Sequence, residues 1–197
     1  MPRRRRKSYH HGDLAAALRA SARASIARDG VAKFSLRAVA KQAEVDPAAV
    51  YRHYADKQAL LEAVAEDGFI ELATHMQQAQ STRRTPETRM AAIGAAYVHF
   101  AIAEPELFRA MFGPQRIDVP TIAAAASGGR SPYQILLDAL AELHEAGRSI
   151  HPPERASLPA WSAIHGLAYL AIDGRIDDVE ASIRDVTRSI LRSLEPR

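Results

Sequence analysis

Three helix-starting residues stand about ten positions apart in the first third of the chain: Ser35, Asp46 and Asp56. Each has a short side chain whose oxygen accepts from the unpaired backbone N–H groups of a helix's first turn. Pro47 follows Asp46 at a first helical position, where its missing N–H costs nothing. The intervals hold only a short helix, a turn and another short helix. The first carries Leu36, Val39, Ala40 and Ala43 on one face and ends by about Ala43. Glu44, Val45 and Asp46 form the turn, and the second helix runs from Pro47 to about Tyr54. Asp56 then opens a long helix with Leu60, Leu61, Val64, Phe69 and Leu72 inward.

A helix precedes this unit. It starts near Asp13, repeats apolar residues every fourth position (Leu14, Leu18, Ala22, Ile26) and stops at Gly30. Beyond a polar break at Ser81–Pro86, the same period predicts helices over 87–103, 106–112, 131–146, 153–172 and 178–194. The last carries Val179, Ile183, Val186, Ile190 and Leu194 in register. The segment 113–132, with Pro, Gly and Ser, is expected to be mobile. The expectation is an all-α fold of about nine helices. The 39 alanines and only 12 aromatics agree with it, since strands favour β-branched and aromatic residues.

Composition removes several classes of function. There is no cysteine, hence no disulfide, thiolate zinc site, iron–sulfur cluster or cysteine nucleophile. That is compatible with a reducing cytosol, and a cytoplasmic location is expected. No apolar run approaches the roughly 18–20 residues needed to span a bilayer, and no apolar stretch follows the basic N-terminus as a secretory signal requires. The eight histidines show no ligand-pair spacing, so no metal is expected. Ser, His and Asp occur without the framing of a catalytic triad, so neither an enzyme nor a cofactor is expected.

Charge is unevenly placed. Residues 1–57 hold 13 Lys+Arg against 5 Asp+Glu, a net +8, and the remainder holds 13 against 18, a net −5. The positive quarter begins with a self-repelling arm, Arg3, Arg4, Arg5, Arg6 and Lys7. Such an asymmetry points to a polyanion bound at the N-terminal part. The arm can reach a minor groove or act as a nonspecific electrostatic aid. An alternative function follows: a basic-arm module binding DNA or an anionic membrane without sequence choice.

Two short helices on a tight turn, behind a stabilising helix, form the helix-turn-helix pattern, whose second helix enters the major groove. The leading residues of that helix are compact, and Ala48 and Ala49 permit close approach to base edges. Tyr51, His53, Tyr54 and Lys57 follow as hydrogen-bond donors suited to phosphate. Tyr51 and Tyr54 share a helical side, so one of them can pack inward. At 161 and 165, a tryptophan and a histidine one turn apart are either core or cavity wall, and Tyr97, Phe100, Phe108, Met111 and Phe112 are equally open to both readings.

The run from Phe34 to Leu61, with Tyr-Arg-His-Tyr-Ala-Asp-Lys-Gln-Ala-Leu-Leu at its end, resembles the DNA-binding domain of TetR-family transcriptional regulators over residues 8–61. The resemblance implies that Tyr51 and Lys57 clamp phosphate, Ser35 and His53 add phosphate contacts, Arg37 reaches a base or groove, and Ala48 and Ala49 face bases. Two departures stand out: Asp46 where the family often has Ser or Thr, and Glu44 where Gly is common. Trp161 to Leu170, ending in Asp173-Gly174, resembles the Trp-His-Gly (WHG) type of C-terminal domain, as does Glu104–Phe112. This implies a helical domain for dimerisation and effector binding, with Tyr97, Phe100, Phe108, Met111, Phe112, Trp161 and His165 as candidate pocket residues. The expected organisation is an arm over 1–12, a helix-turn-helix domain over 13–57, a connecting helix over 58–80 and the effector domain over 81–197. The expected partners are a near-palindromic double-stranded operator, a second copy held through the eighth and ninth helices, and an unidentified small effector. The expected role is a sequence-specific transcriptional regulator, by family habit a repressor, that the effector releases or modulates.

Overall fold

The computed structural model describes residues 11–113 and 129–195. The arm residues Arg3, Arg4, Arg5 and Arg6, and most of the segment expected to be mobile, lie outside them. Among the described residues there are nine helices and no strand: α1 (His11–Lys33), α2 (Leu36–Gln42), α3 (Pro47–His53), α4 (Lys57–Ser81), α5 (Pro86–Ala103), α6 (Pro105–Phe112), α7 (Pro132–Glu145), α8 (Pro153–Ile172) and α9 (Val179–Leu194). The chain divides between Ala65 and Glu66 into two compact units.

In the first unit Leu18, Ala22 and Ile26 of α1, Val39 and Ala40 of α2 and Val50 of α3 are closed to solvent, and α2 packs against both α1 and α3. All three start signals act as expected. Ser35 Oγ accepts from the Ala38 N–H at 3.2 Å, Asp46 Oδ1 from Ala48 at 2.8 Å, and Asp56 Oδ1 from Ala59 at 2.8 Å. Gly30 breaks α1 rather than ending it. Its φ of 73° and ψ of 166° are non-helical, and a last turn continues to Lys33 on a new heading.

The turn after α2 is closed by two backbone bonds, Glu44 N–H to Lys41 C=O at 3.2 Å and Val45 N–H to Ala40 C=O at 3.0 Å. This pattern requires a left-handed residue at its centre, usually glycine, and here Glu44 takes it with φ 55°. An L-residue in that region carries about 1–2 kcal/mol of strain. Glycine relieves this but gives the unfolded chain about 0.4–1 kcal/mol more entropy. Glu44→Gly is therefore expected to raise stability by about 0.5–1 kcal/mol in urea unfolding. An unchanged or lower midpoint would show that the turn is relaxed.

In the second unit α5 packs against α7, α8 and α9, and α8 lies against both α7 and α9. Ion pairs tie the helices at their edges: Arg89 to Glu142 at 2.7 Å, Arg148 to Glu87 at 2.5 Å and Arg109 to Asp173 at 2.6 Å. The first two join α5 to α7 and to the residues that follow it. The third joins α6 to the end of α8. The buried stripe of α9 differs from its expected register. Ile183, Thr187, Ile190 and Leu194 are buried, whereas Val186 is half-exposed. Steps of four, three and four residues follow one face at 3.6 residues per turn, so Thr187 takes the inner place despite its hydroxyl.

Candidate nucleic-acid interface and ligand cavity

Each unit contains one candidate site. In the first, Ser35, Arg37, Tyr51 and Lys57 line a single open depression together with Phe34, Leu36 and Asp56. Four elements bring them there: the residues after α1, the start of α2, the middle of α3 and the first residue of α4. Tyr51 is 54% exposed, with its phenol available to an outside partner. Lys57 is held from behind. Its ammonium donates to the Val31 carbonyl at 3.3 Å and lies 5.7 Å from the centre of the Phe34 ring. A cation, a phenol, a guanidinium and a serine hydroxyl around one depression suit an anion such as phosphate. The Asp56 carboxylate in the same rim is engaged by the Ala59 N–H.

Ala48 is exposed at the leading end of α3, and His53 is half-buried at its last residue. Two candidates turn inward. Ala49 is 7% exposed, so its methyl belongs to the core of the unit and does not reach a base. The exposed side of α3 carries Pro47, Ala48, Tyr51 and Arg52. Tyr54 is half-buried, and its hydroxyl lies 3.4 Å from the Ala15 carbonyl, to which it donates, and 3.5 Å from the Arg19 guanidinium. Asp46 is exposed as the cap of α3, its carboxylate turned to the Ala48 amide.

The second unit contains a partly open cavity of about 60 Å³. Of the seven candidates, Tyr97, Phe112 and Trp161 line it. Phe100, Phe108 and Met111 do not; at 2%, 0% and 2% exposure they form solid core beside it. His165 stands behind the wall, its Nδ1 2.8 Å from the Tyr97 hydroxyl. The Trp161 indole N–H donates to the same hydroxyl at 3.3 Å. Burial pushes the Tyr97 phenol above its ordinary value of 10 and lowers His165 from its ordinary 6.5, so both are neutral at neutral pH. The indole N–H donates to the phenol oxygen, and the tautomer of the imidazole sets which way the phenol–imidazole bond runs.

Because the folded His165 binds its proton less readily than the unfolded one, stability falls as pH drops below about 6.5. His165→Gln keeps a hydrogen-bonding group and is expected to flatten that fall in thermal melts. An equal slope in both proteins would show that His165 does not contribute.

The remaining wall includes residues outside the candidate set, of which the helical period places Phe69 inward. These are Phe69 and Met76 of α4, Gly94 of α5, Tyr133 of α7 and Thr187 of α9. The corrected register of α9 is the one sequence signal that could have found Thr187. Among the described residues no helix is long and apolar enough to cross a membrane, and no group of three or more His, Asp or Glu could hold a metal ion.

Comparison with known proteins agrees with both units. Residues 18–64 match the N-terminal domain of bacterial regulatory proteins of the TetR family. Residues 90–194, just over half of the chain, match the tetracyclin repressor-like C-terminal domain. No curated protein matches the sequence significantly. Among solved structures, a protein of unknown function from Rhodococcus sp. RHA1 is 32% identical, with 97% of this chain and all of that one covered at a TM-score of 0.82. A TetR-family regulatory protein from Rhodococcus RHA1 is 23% identical over 93% of this chain and 97% of its own, at a TM-score of 0.69. A TetR-family transcription regulator from Marinobacter aquaeolei VT8 shares the fold at 18% identity and a TM-score of 0.72, with 93% of this chain and 96% of that one covered. With a helix-turn-helix unit and a helical C-terminal unit that both match, the chain belongs to the TetR family of DNA-binding transcriptional regulators.

Proposed function

We propose that the protein is a homodimeric repressor that reads a near-palindromic operator and is released by a small effector held in the cavity of the second unit. The observation that carries the DNA-binding half is the depression in which Ser35, Arg37, Tyr51 and Lys57 stand together beside the exposed front of α3. In this reading Lys57 and Tyr51 bind phosphate, Ser35 and His53 add to the clamp, Arg37 reaches a base or groove edge, and Ala48 meets a base. Arg3 to Arg6 add nonspecific attraction or enter a minor groove. Dimers of this motif bind half-sites one helical turn apart or a multiple of it.

The effector reading rests on the cavity and on α4. Phe69 and Met76 of α4 form part of the wall, and α4 continues unbroken through the residues where one unit ends and the other begins. An effector that fits better with α4 in one position shifts the population toward that position, by as much as its two affinities differ. The Trp161–Gly166 segment supports assignment to the WHG type, because its tryptophan and histidine are both bonded to Tyr97 at the cavity wall. The dimer is proposed through α8 and α9, where an open groove contains Pro159, Ala163, Val186 and Ser189, and where Leu158 and Leu170 are 63% and 51% exposed.

The test is selection of bound duplexes from a random pool, followed by salt titrations of variants. Lys57→Ala is expected to weaken binding to all sequences about equally and to reduce the salt slope by about one. Arg37→Ala is expected to relax preference at one position. Loss of all binding on deletion of residues 1–7, with Tyr51→Ala unaffected, would establish the basic-arm reading instead.

A further inference from the structure

The wall of the cavity is almost wholly apolar, with one anomaly. Thr187 is 5% exposed, and its hydroxyl oxygen has no hydrogen-bond partner although it is fully enclosed. A buried hydroxyl left unpaired is costly, and native structures keep few of them without a reason. The other polar groups here are already used. The Tyr97 hydroxyl serves Trp161 and His165, and the Tyr133 hydroxyl pairs with Ser157 at 3.0 Å.

Glycine at 94 leaves space beside the Thr187 hydroxyl. A Cβ there would lie 3.7 Å from Thr187 Oγ1 and 3.3 Å from Ile164 Cδ1. Among the described residues no Asp, Glu, Lys or Arg lines the cavity, whereas five that do are aromatic: Phe69, Tyr97, Phe112, Tyr133 and Trp161. A charged guest would lose its hydration without a counter-charge, a far larger penalty than the loss of one hydrogen bond. At about 60 Å³ the space is below the roughly 150 Å³ of an apolar cavity that takes up benzene. A single ring therefore already has to displace wall side chains, and each further ring would have to displace more.

We infer that the effector is a small, uncharged, mainly apolar molecule of one ring or less, with a single hydroxyl or carbonyl that pairs with Thr187 Oγ1. This rests on the reading of the cavity as the effector site.

The test uses the full-length dimer and four probes that share a benzene ring: phenol, toluene, benzoate and benzylammonium. Binding is followed by calorimetry and by the emission of Trp161, the only tryptophan and a wall residue. Phenol is expected to bind about fivefold more tightly than toluene, the effect of one ordinary hydrogen bond. The two charged probes are expected to bind at least about 100-fold more weakly than phenol. Thr187→Val, of nearly equal shape, is expected to bring phenol to the level of toluene and leave toluene unchanged, whereas Thr187→Ser keeps the preference. Tight binding of a charged probe, or a phenol preference that survives Thr187→Val, would overturn the assignment while leaving the cavity a ligand site. Absence of any heat or emission change with all four probes would overturn the ligand-site reading and this inference with it.

Discussion

Phe108→Ala is expected to remove about 3–5 kcal/mol of stability, the cost of deleting a fully buried phenylalanine. Phe108 is 0% exposed and lies among four rings, with centroids 5.5 Å away at Tyr97, 4.8 Å at Phe112, 5.6 Å at His165 and 5.5 Å at Tyr169. It joins α6 to α5 and α8, so the void would open where three helices meet. Against the roughly 5–15 kcal/mol of a typical domain, the variant would be only marginally folded. Urea unfolding measures this, and a loss below about 1 kcal/mol would mean that the aromatic cluster closes over the missing ring.

Leu158→Asp is expected to convert the protein from dimer to monomer in light scattering and to lower operator affinity by about 100-fold or more. The loss in affinity comes from geometry. Two reading heads on one particle bind their half-sites with an effective concentration that typically adds a factor of about 10²–10⁴. Among the described residues Leu158 is the most exposed of the large apolar ones, at 63%, and stands on α8 among residues that face outward. Aspartate there places a charge in the proposed interface and leaves the buried face of α8 untouched. A dimer of unchanged affinity would place the interface elsewhere.

Much of the fold was legible because its signals are local. Ser35, Asp46 and Asp56 each cap the helix expected of them. The bounds of α8 agree with the periodicity, and α7 and α9 begin one residue inside theirs. Each of these depends on a few neighbouring residues. The inner stripe of α9 was less legible because hydrophobicity favours Val186, whereas the helical angle places Thr187 inward. Ser35, Arg37, Tyr51 and Lys57 could be named from residue type and spacing, and they line one depression, but Ala48 and Ala49 are adjacent small residues, and only the packing of α3 decides which one faces out.

The cavity was the least legible feature. Phe100, Phe108, Met111 and Phe112 are chemically alike, and only the last lines the space. A cavity is the volume left between helices distant in sequence, so no single segment records it. Gly94 illustrates this, since what it contributes is the absence of a methyl group between Ile164 and Thr187.

The grip on Lys57 bears on how the protein searches DNA. The new heading that Gly30 gives the end of α1 includes Val31, whose carbonyl holds the ammonium. A free lysine loses about 1.5–2 kcal/mol of rotamer entropy when it is fixed. Here much of that ordering is complete before DNA arrives, and it is the same on every sequence. On the proposed reading, encounters with random DNA find the clamp already set, which favours rapid sampling of many sites and leaves discrimination between them to the residues at the front of α3.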